Sequence, residues 1–329
     1  MLDEGLLAAA AERHFGAGTT VSDVRRLTGG ASRETWSFDA MGPDGTRRAL
    51  VLRRDPGGAL PGAMGRTAEY RLLETAATVG VPVPAVCFPL EEGDGLGSGF
   101  VMERVDGETI PRRILRDDAF ADARSAMAGQ CGTIAARIHA VDLAELADVA
   151  LDGPAPGEHP AVAQIRQYRE LLDAFGEPHP AFELGLRWLE EHLPPLDQVR
   201  LVHGDFRNGN FVVGSDGIRA VLDWELAHLG DPMEDLGWLC VRAWRFRSPL
   251  PVGGFGDRHD LFAAYEAAGG GAVDTERVHY WEVFGTLKWG VMCIVQAFTH
   301  LHGLHRSVEL AAIGRRVAEQ EYDLLRLIG

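Results

Sequence analysis

The chain has 329 residues, 46% of them hydrophobic, which is enough to bury a substantial core in one large domain or two lobes. Its 48 acidic residues outnumber 32 basic ones, and a net charge of −16 repels polyanions. Nucleic acid and anionic membrane are therefore not expected as partners, and an anionic cofactor would need locally gathered positive groups. Cys87, Cys131, Cys240 and Cys293 form no C-x-x-C pair, so neither a zinc site nor a disulfide framework is indicated. The opening residues Met1-Leu2-Asp3-Glu4 do not read as a secretory leader. The most apolar run, residues 283–298, is short for a bilayer and contains Lys288. A cytoplasmic protein is expected.

The first hundred residues read as mixed α/β. Residues 21–27 predict a strand, Thr28-Gly29-Gly30-Ala31-Ser32 a turn, and residues 35–38 a second strand. Residues 48–54 predict a third strand, closed by Asp55-Pro56-Gly57-Gly58. A helix follows over about 67–78, then an extended Val81-Pro82-Val83-Pro84 and a short strand over 99–105. Beyond this point helices dominate: 121–140, 161–175 and 180–193, with a Pro- and Gly-rich loop over 151–160. A strand pair over 211–213 and 218–224 interrupts them. The expected architecture is a small sheet-rich lobe joined near residues 103–107 to a larger helical lobe.

The strongest local pattern is Leu201-Val202-His203-Gly204-Asp205-Phe206-Arg207-Asn208-Gly209-Asn210-Phe211, which contains H-x-D-x-x-x-x-N. Val221-Leu222-Asp223-Trp224-Glu225 follows at the end of the hairpin. Phosphoryl transfer from ATP needs a group that orients the attacking hydroxyl, and Mg²⁺ to neutralise the phosphates. A carboxylate and an amide on one loop can supply the base, Asp205, and one metal ligand, Asn210. Asp223, returned by the hairpin, can supply the other. The competing reading makes these residues ordinary turn formers. His203 reads as loop-stabilising, since Asp205 already fills the role of base.

This segment resembles the catalytic loop and metal-binding segment of the aminoglycoside phosphotransferase and choline kinase-like superfamily, relatives of protein kinases. Gly230-Asp231-Pro232-Met233-Glu234-Asp235-Leu236 is similar as well, and the resemblance runs over nearly the whole chain. It is strongest to the phosphotransferase domains fused to acyl-CoA dehydrogenases. Thr28-Gly29-Gly30-Ala31-Ser32-Arg33-Glu34, Val51-Leu52-Arg53 and Leu310-Ala311-Ala312-Ile313-Gly314-Arg315-Arg316 share in it.

The resemblance implies an α+β, protein-kinase-like two-lobed fold. A nucleotide-binding lobe would span residues 1–104, and a catalytic and acceptor-binding helical lobe residues 105–329. It further implies that Gly29, Gly30 and Ser32 cover the ATP phosphates, although no G-x-G-x-x-G is present. A cation on the third strand, normally lysine, is here Arg53, with Arg54 pointing outward. Its partner is Glu69, which shares the inward helix face with Leu72, Leu73 and Ala76. Backbone groups of Glu103 and Val105 would meet the adenine. Asp231 and Glu234 read as a capping box around Pro232, Asp235 as a possible support for the catalytic loop, and Glu225 as a metal-proximal acid. Trp281, Gly285, Lys288 and Met292 fall on one stripe of a helix over 281–298, so Trp281 and Lys288 are candidates for an acceptor pocket, Lys288 toward an anionic group.

The function this implies is ATP- and Mg²⁺-dependent transfer to a hydroxyl of a small molecule, such as a hydroxy acid or hydroxyacyl thioester. An aminoglycoside phosphotransferase, a nucleotide-binding protein without catalysis and a protein kinase are the alternatives.

Overall fold

The computed structural model describes residues 2–27, 34–57, 64–195 and 198–329. It divides into two compact units. One takes Met1–Gly107 together with two later segments, Asp142–Ala150 and Arg219–Leu226. The other takes Glu108–Val141, Leu151–Ile218 and Ala227–Gly329. The first unit thus runs slightly past residue 104 and recruits two segments from further along the chain.

The first unit opens with helix α1 (Glu4–Phe15), whose Asp3 side chain caps the N–H groups of Gly5 and Leu6. Strands β1 (Thr20–Leu27), β2 (Glu34–Met41) and β3 (Arg47–Asp55) follow, then helix α2 (Arg66–Thr78), β4 (Val86–Pro89) and β5 (Ser98–Glu103). The five strands form one sheet in the order β1-β2-β3-β5-β4, with every neighbouring pair antiparallel. Alternation along β3 decides the rest. Leu50 and Leu52 join Leu7, Ala10, Phe38, Phe88 and Val101 in the core under α1. Val51 and Arg53 fall on the opposite side of the pleat. On α2 the inward set Glu69, Leu72, Leu73 and Ala76 is buried throughout, as the helical spacing predicts.

The second unit contains α3 (Pro111–Arg116), α4 (Ala121–His139), α5 (Pro160–Phe175) and α6 (Pro180–Glu191). The short strands β6 (Arg200–Val202), β7 (Phe211–Gly214), β8 (Gly217–Val221) and β9 (His228–Gly230) come next, and β8 carries the chain out of this unit at Ile218. Helices α7 (Met233–Cys240), α8 (Arg258–Ala267), α9 (Thr275–Leu301), α10 (Val308–Gly314) and α11 (Val317–Ile328) complete it. β6 pairs antiparallel with β9, with Leu201 opposite Leu229, so the loop after β6 starts from a fixed frame.

Helices α7 and α9 approach unusually closely. A Cβ on Gly237 of α7 would stand 2.6 Å from the Trp281 Cβ, and one on Gly285 of α9 would stand 2.8 Å from the side chain of Val241. Only glycine fits at either position, and the reciprocal contact sets the spacing of the two helices. No helix among the described residues is long and apolar enough to cross a membrane.

Candidate active site

In the helical unit, the segment from β6 to β7 presents Asp205 and Asn210 together. Asn210 Nδ2 donates to Asp205 Oδ2 at 2.6 Å and to the Asp205 carbonyl at 3.0 Å. The other carboxylate oxygen, Oδ1, accepts from Arg207 Nε and from Trp238 Nε1, each at 2.9 Å. Both oxygens of Asp205 are therefore oriented. Beneath the loop, buried Asp235 accepts the backbone N–H of His203 at 2.8 Å and of Gly204 at 3.0 Å, and pairs with His139 Nε2 at 3.1 Å. Burial works against the Asp235 charge, but these donors outweigh it and hold its pKa below the usual carboxylate range. His203 accepts the Asp205 N–H through Nδ1 at 3.2 Å, a loop-stabilising contact as the sequence suggests. Asn208, also buried, donates to the Gly253 carbonyl at 2.7 Å.

Asp223 belongs to the sheet unit, where it sits with Arg53 and Glu69. Arg53 Nη2 lies 2.9 Å from Asp223 Oδ1 and 3.2 Å from Glu69 Oε1. Burial opposes the Arg53 charge, yet Glu69, Asp223 and Glu225 together raise its pKa above the ordinary arginine value. The expected pairing of Arg53 with Glu69 is present. The sequence reading missed Arg66, which is wholly buried, bonds Glu69 through Nη1 and reaches Asp55 at 3.2 Å. Its position one helical turn before Glu69 was the available signal.

Several expectations need correction. The strand predicted over 218–224 stops at Val221, because Asp223 has φ 65° and cannot continue a pleat. Glu225 lies in a single helical turn over Trp224–Leu226 and does not share a strand face with Asp223. Arg54 does not point outward. It continues the Leu50–Leu52 side of β3, buried, bonding Glu34 at 2.9 Å and the Leu96 carbonyl at 3.2 Å.

Asp231 accepts the Met233 N–H at 2.9 Å, but the residue that caps α7 is Pro232 and not Asp231, and Glu234 completes no capping box. It is buried and pairs instead with His228 Nε2 at 3.1 Å and Lys288 Nζ at 3.4 Å. Trp281 and Lys288, expected toward an acceptor pocket, are both buried. Trp281 is fully buried and donates its indole N–H to Asp231 Oδ2 at 2.8 Å. Lys288 is 3% exposed and donates to the Gly204 carbonyl at 3.0 Å. Their stripe is real, but it is the seam packed against α7.

Gly29, Gly30 and Ser32 lie outside the described residues. Glu103 ends β5, and its N–H is taken by the Ala85 carbonyl at 2.8 Å. Val105 lies just beyond the strand end.

Around Asp205 the helical unit is aromatic and basic. Trp238, Trp244 and Trp289 form a tilted series with ring centroids 5.1 and 4.8 Å apart. The Arg207 guanidinium sits 4.4 Å over Trp244, and Arg316 lies 5.9 Å from the Trp289 ring. Glu282 in this region is occupied by Arg245, at 2.8 Å, and by Arg258.

Fold and sequence together define the class of the protein as a phosphotransferase. The chain belongs to the phosphotransferase enzyme family known as APH, whose family model matches residues 23–281. It is 34% identical over 214 residues to acyl-CoA dehydrogenase family member 10 of Mus musculus, covering 62% of this chain and 19% of that protein. It is 32% identical over 225 residues to acyl-CoA dehydrogenase family member 11 of Gallus gallus, covering 65% of this chain and 27% of that one. The chain thus spans less than a third of the length of the curated relatives it matches. In fold it is similar to a protein of Ralstonia eutropha JMP134 provisionally assigned as an aminoglycoside phosphotransferase, with TM-score 0.78, 23% identity and 100% and 98% of the two chains covered. It also resembles a thermostable mutant of aminoglycoside phosphotransferase APH(4)-Ia in complex with AMP-PNP and hygromycin B, with TM-score 0.64, 19% identity and 98% and 97% covered.

Proposed function

We propose that the protein transfers the γ-phosphate of ATP to a hydroxyl of a small molecule, with Asp205 orienting and deprotonating that hydroxyl. The observation that carries this reading is the Asp205 carboxylate itself, fixed by Trp238 and Arg207 on one oxygen and by Asn210 on the other. A carboxylate held in this way is prepared to accept a hydroxyl proton without first reorganising. Asn210 and Asp223 are the proposed Mg²⁺ ligands. An amide and a carboxylate offer hard oxygen donors, and the Asp223 side chain is 43% exposed. No group of three or more His, Cys, Asp or Glu among the described residues is placed to hold an ion alone, which suits a metal that completes its shell with phosphate and water. When bound, Mg²⁺ supplies charge neutralisation at the phosphates. Arg53, braced by Glu69, is the cation proposed for phosphate contact; Gly29, Gly30 and Ser32 would cover the phosphates, and the backbone at Glu103 and Val105 would meet the adenine.

For the acceptor, we favour a hydroxy acid or hydroxyacyl thioester. Trp238 and Trp244 are buried, but the partly exposed Arg207, Trp289 and Arg316 suit an anionic or apolar molecule, whereas a polycationic antibiotic needs clustered carboxylates. The names of the acyl-CoA dehydrogenase relatives point the same way. An aminoglycoside is the second reading, supported by the APH(4)-Ia fold neighbour with hygromycin B. The test is acceptor-dependent ADP release across hydroxy acids, their thioesters and aminoglycosides, run with wild type and Asp205→Asn. The variant is expected to lose about 10²–10⁴-fold in turnover with nucleotide affinity retained. Near-wild-type turnover in Asp205→Asn would remove the assignment, and selective use of an aminoglycoside would replace the acceptor class.

A further inference from the structure

We infer that Lys288 is a positioning residue for Asp205, acting through the catalytic-loop backbone and Trp238 rather than on the acceptor. The inference rests on the reading of Asp205 given above. One ammonium touches both the backbone just before this carboxylate and one of the three side chains that fix it. Lys288 Nζ donates to the carbonyl of Gly204, the residue immediately before Asp205, at 3.0 Å. It also sits 4.8 Å over the ring of Trp238, whose Nε1–H donates to Asp205 Oδ1 at 2.9 Å. Gly204 has φ 75°, a conformation that a glycine enters and leaves readily. Asp235 holds the N–H side of Gly204 and Lys288 holds its carbonyl, so the peptide is gripped from both ends.

The anchor behind Lys288 is itself fixed. Glu234 Oε1 is 3.4 Å from Nζ, its Oε2 is 3.1 Å from His228 Nε2, and Gln164 Nε2 lies 2.7 Å from that same nitrogen. Burial opposes the charge on Lys288, but Tyr168, Glu234 and Asp205 around it keep its pKa above the ordinary lysine value. A buried ion pair is seldom the most stable filling of a core, and an apolar chain of equal length often serves stability as well or better. Charge at residue 288 is thus poorly explained by stability and well explained by the hold on Gly204 and Trp238.

The experiment compares wild type, Lys288→Met, Trp238→Phe, the double variant and Asp205→Asn, with water as the phosphoryl acceptor and ADP release from Mg·ATP as the signal. Lys288→Met should fold, keep its KM for Mg·ATP within about twofold and lose about 10- to 100-fold in kcat, the scale of a small misplacement of a reacting group. The double variant should lose less than the product of the two single losses, because both act on one carboxylate. The indole N–H resonance of Trp238, identified by its disappearance in Trp238→Phe, should shift in Lys288→Met. If Asp205→Asn is inactive while Lys288→Met turns over like wild type with an unmoved resonance, the inference is overturned alone. Full turnover in Asp205→Asn would overturn the reading beneath it. Should Lys288→Met not fold, Glu234→Gln replaces it, leaving the ammonium in place but weakening its anchor; unchanged kcat there would equally overturn the inference.

Discussion

Replacing Glu69 by alanine tests whether the buried charges of the sheet unit act as the geometry implies. Glu69 is 2% exposed; Oε1 lies 3.2 Å from Arg53 Nη2, and Oε2 bonds Arg66. Removing the carboxylate leaves the buried Arg66 with Asp55 and Arg53, whose side chain is 12% exposed, with Asp223. Breaking a buried pair by deleting one partner costs about 3–5 kcal/mol, since the remaining charge is uncompensated. Glu74, on the same helix, is the internal control. Its pair with Arg71 at 2.8 Å has side chains 36% and 40% exposed, so Glu74→Ala should cost no more than about 1 kcal/mol. Both substitutions remove one glutamate from α2 and add one alanine, so helix propensity cancels in the comparison. Urea unfolding midpoints at matched slope measure the difference. KM for Mg·ATP provides a second reading, expected to rise for Glu69→Ala and to stay constant for Glu74→Ala. Two variants within about 1 kcal/mol of each other, or an unmoved KM in Glu69→Ala, would refute the claim that Glu69 braces Arg53.

Asp223→Ala should abolish the Mg²⁺ dependence of ATP binding, and calorimetry with and without Mg²⁺ checks it; equal affinity in variant and wild type excludes Asp223 from the metal site. Glu234→Gln should alter stability in a pH-dependent way. Burial works to raise the Glu234 pKa, but His228 and Lys288 prevail and hold it below the usual carboxylate range. A depressed folded pKa contributes stability above the unfolded value, near pH 4.3, and loses it as pH falls through the folded value. The gap between wild type and Glu234→Gln in urea unfolding should therefore be full at pH 7 and shrink below about pH 4. A gap that stays constant over that range would contradict the pairing.

How much of this was legible varied with the range of the interaction. That Asp205 and Asn210 meet could be read directly, because one short loop brings the two side chains together unaided. Glu69 was legible from helical spacing for the same reason. Lys288 was misread because an apolar stripe looks alike whether it faces a pocket or another helix. Gly237 and Gly285 carried the distinguishing signal, since paired helical glycines mark a close crossing. Arg54 was misplaced because its surroundings depend on the Leu96 carbonyl, a long-range partner with no local trace. The recruitment of Asp142–Ala150 and Arg219–Leu226 into the sheet unit is equally tertiary. Asp223 looked like a strand residue by alternation, and its left-handed backbone shows in no propensity.

The glycine crossing of α7 and α9 changes where sensitivity to mutation should be sought. Trp238 rides on one of these helices and Lys288 on the other, so the gap between them sets the height of the indole against the ammonium. A methyl group at residue 237 or 285 would push the helices apart, although neither position touches Asp205. In a library selected for turnover, losses at these two sites would look like damage to the Asp205 loop itself. An engineer altering this protein would do better to leave the crossing untouched, as the fixed bearing on which the loop between β6 and β7 is set.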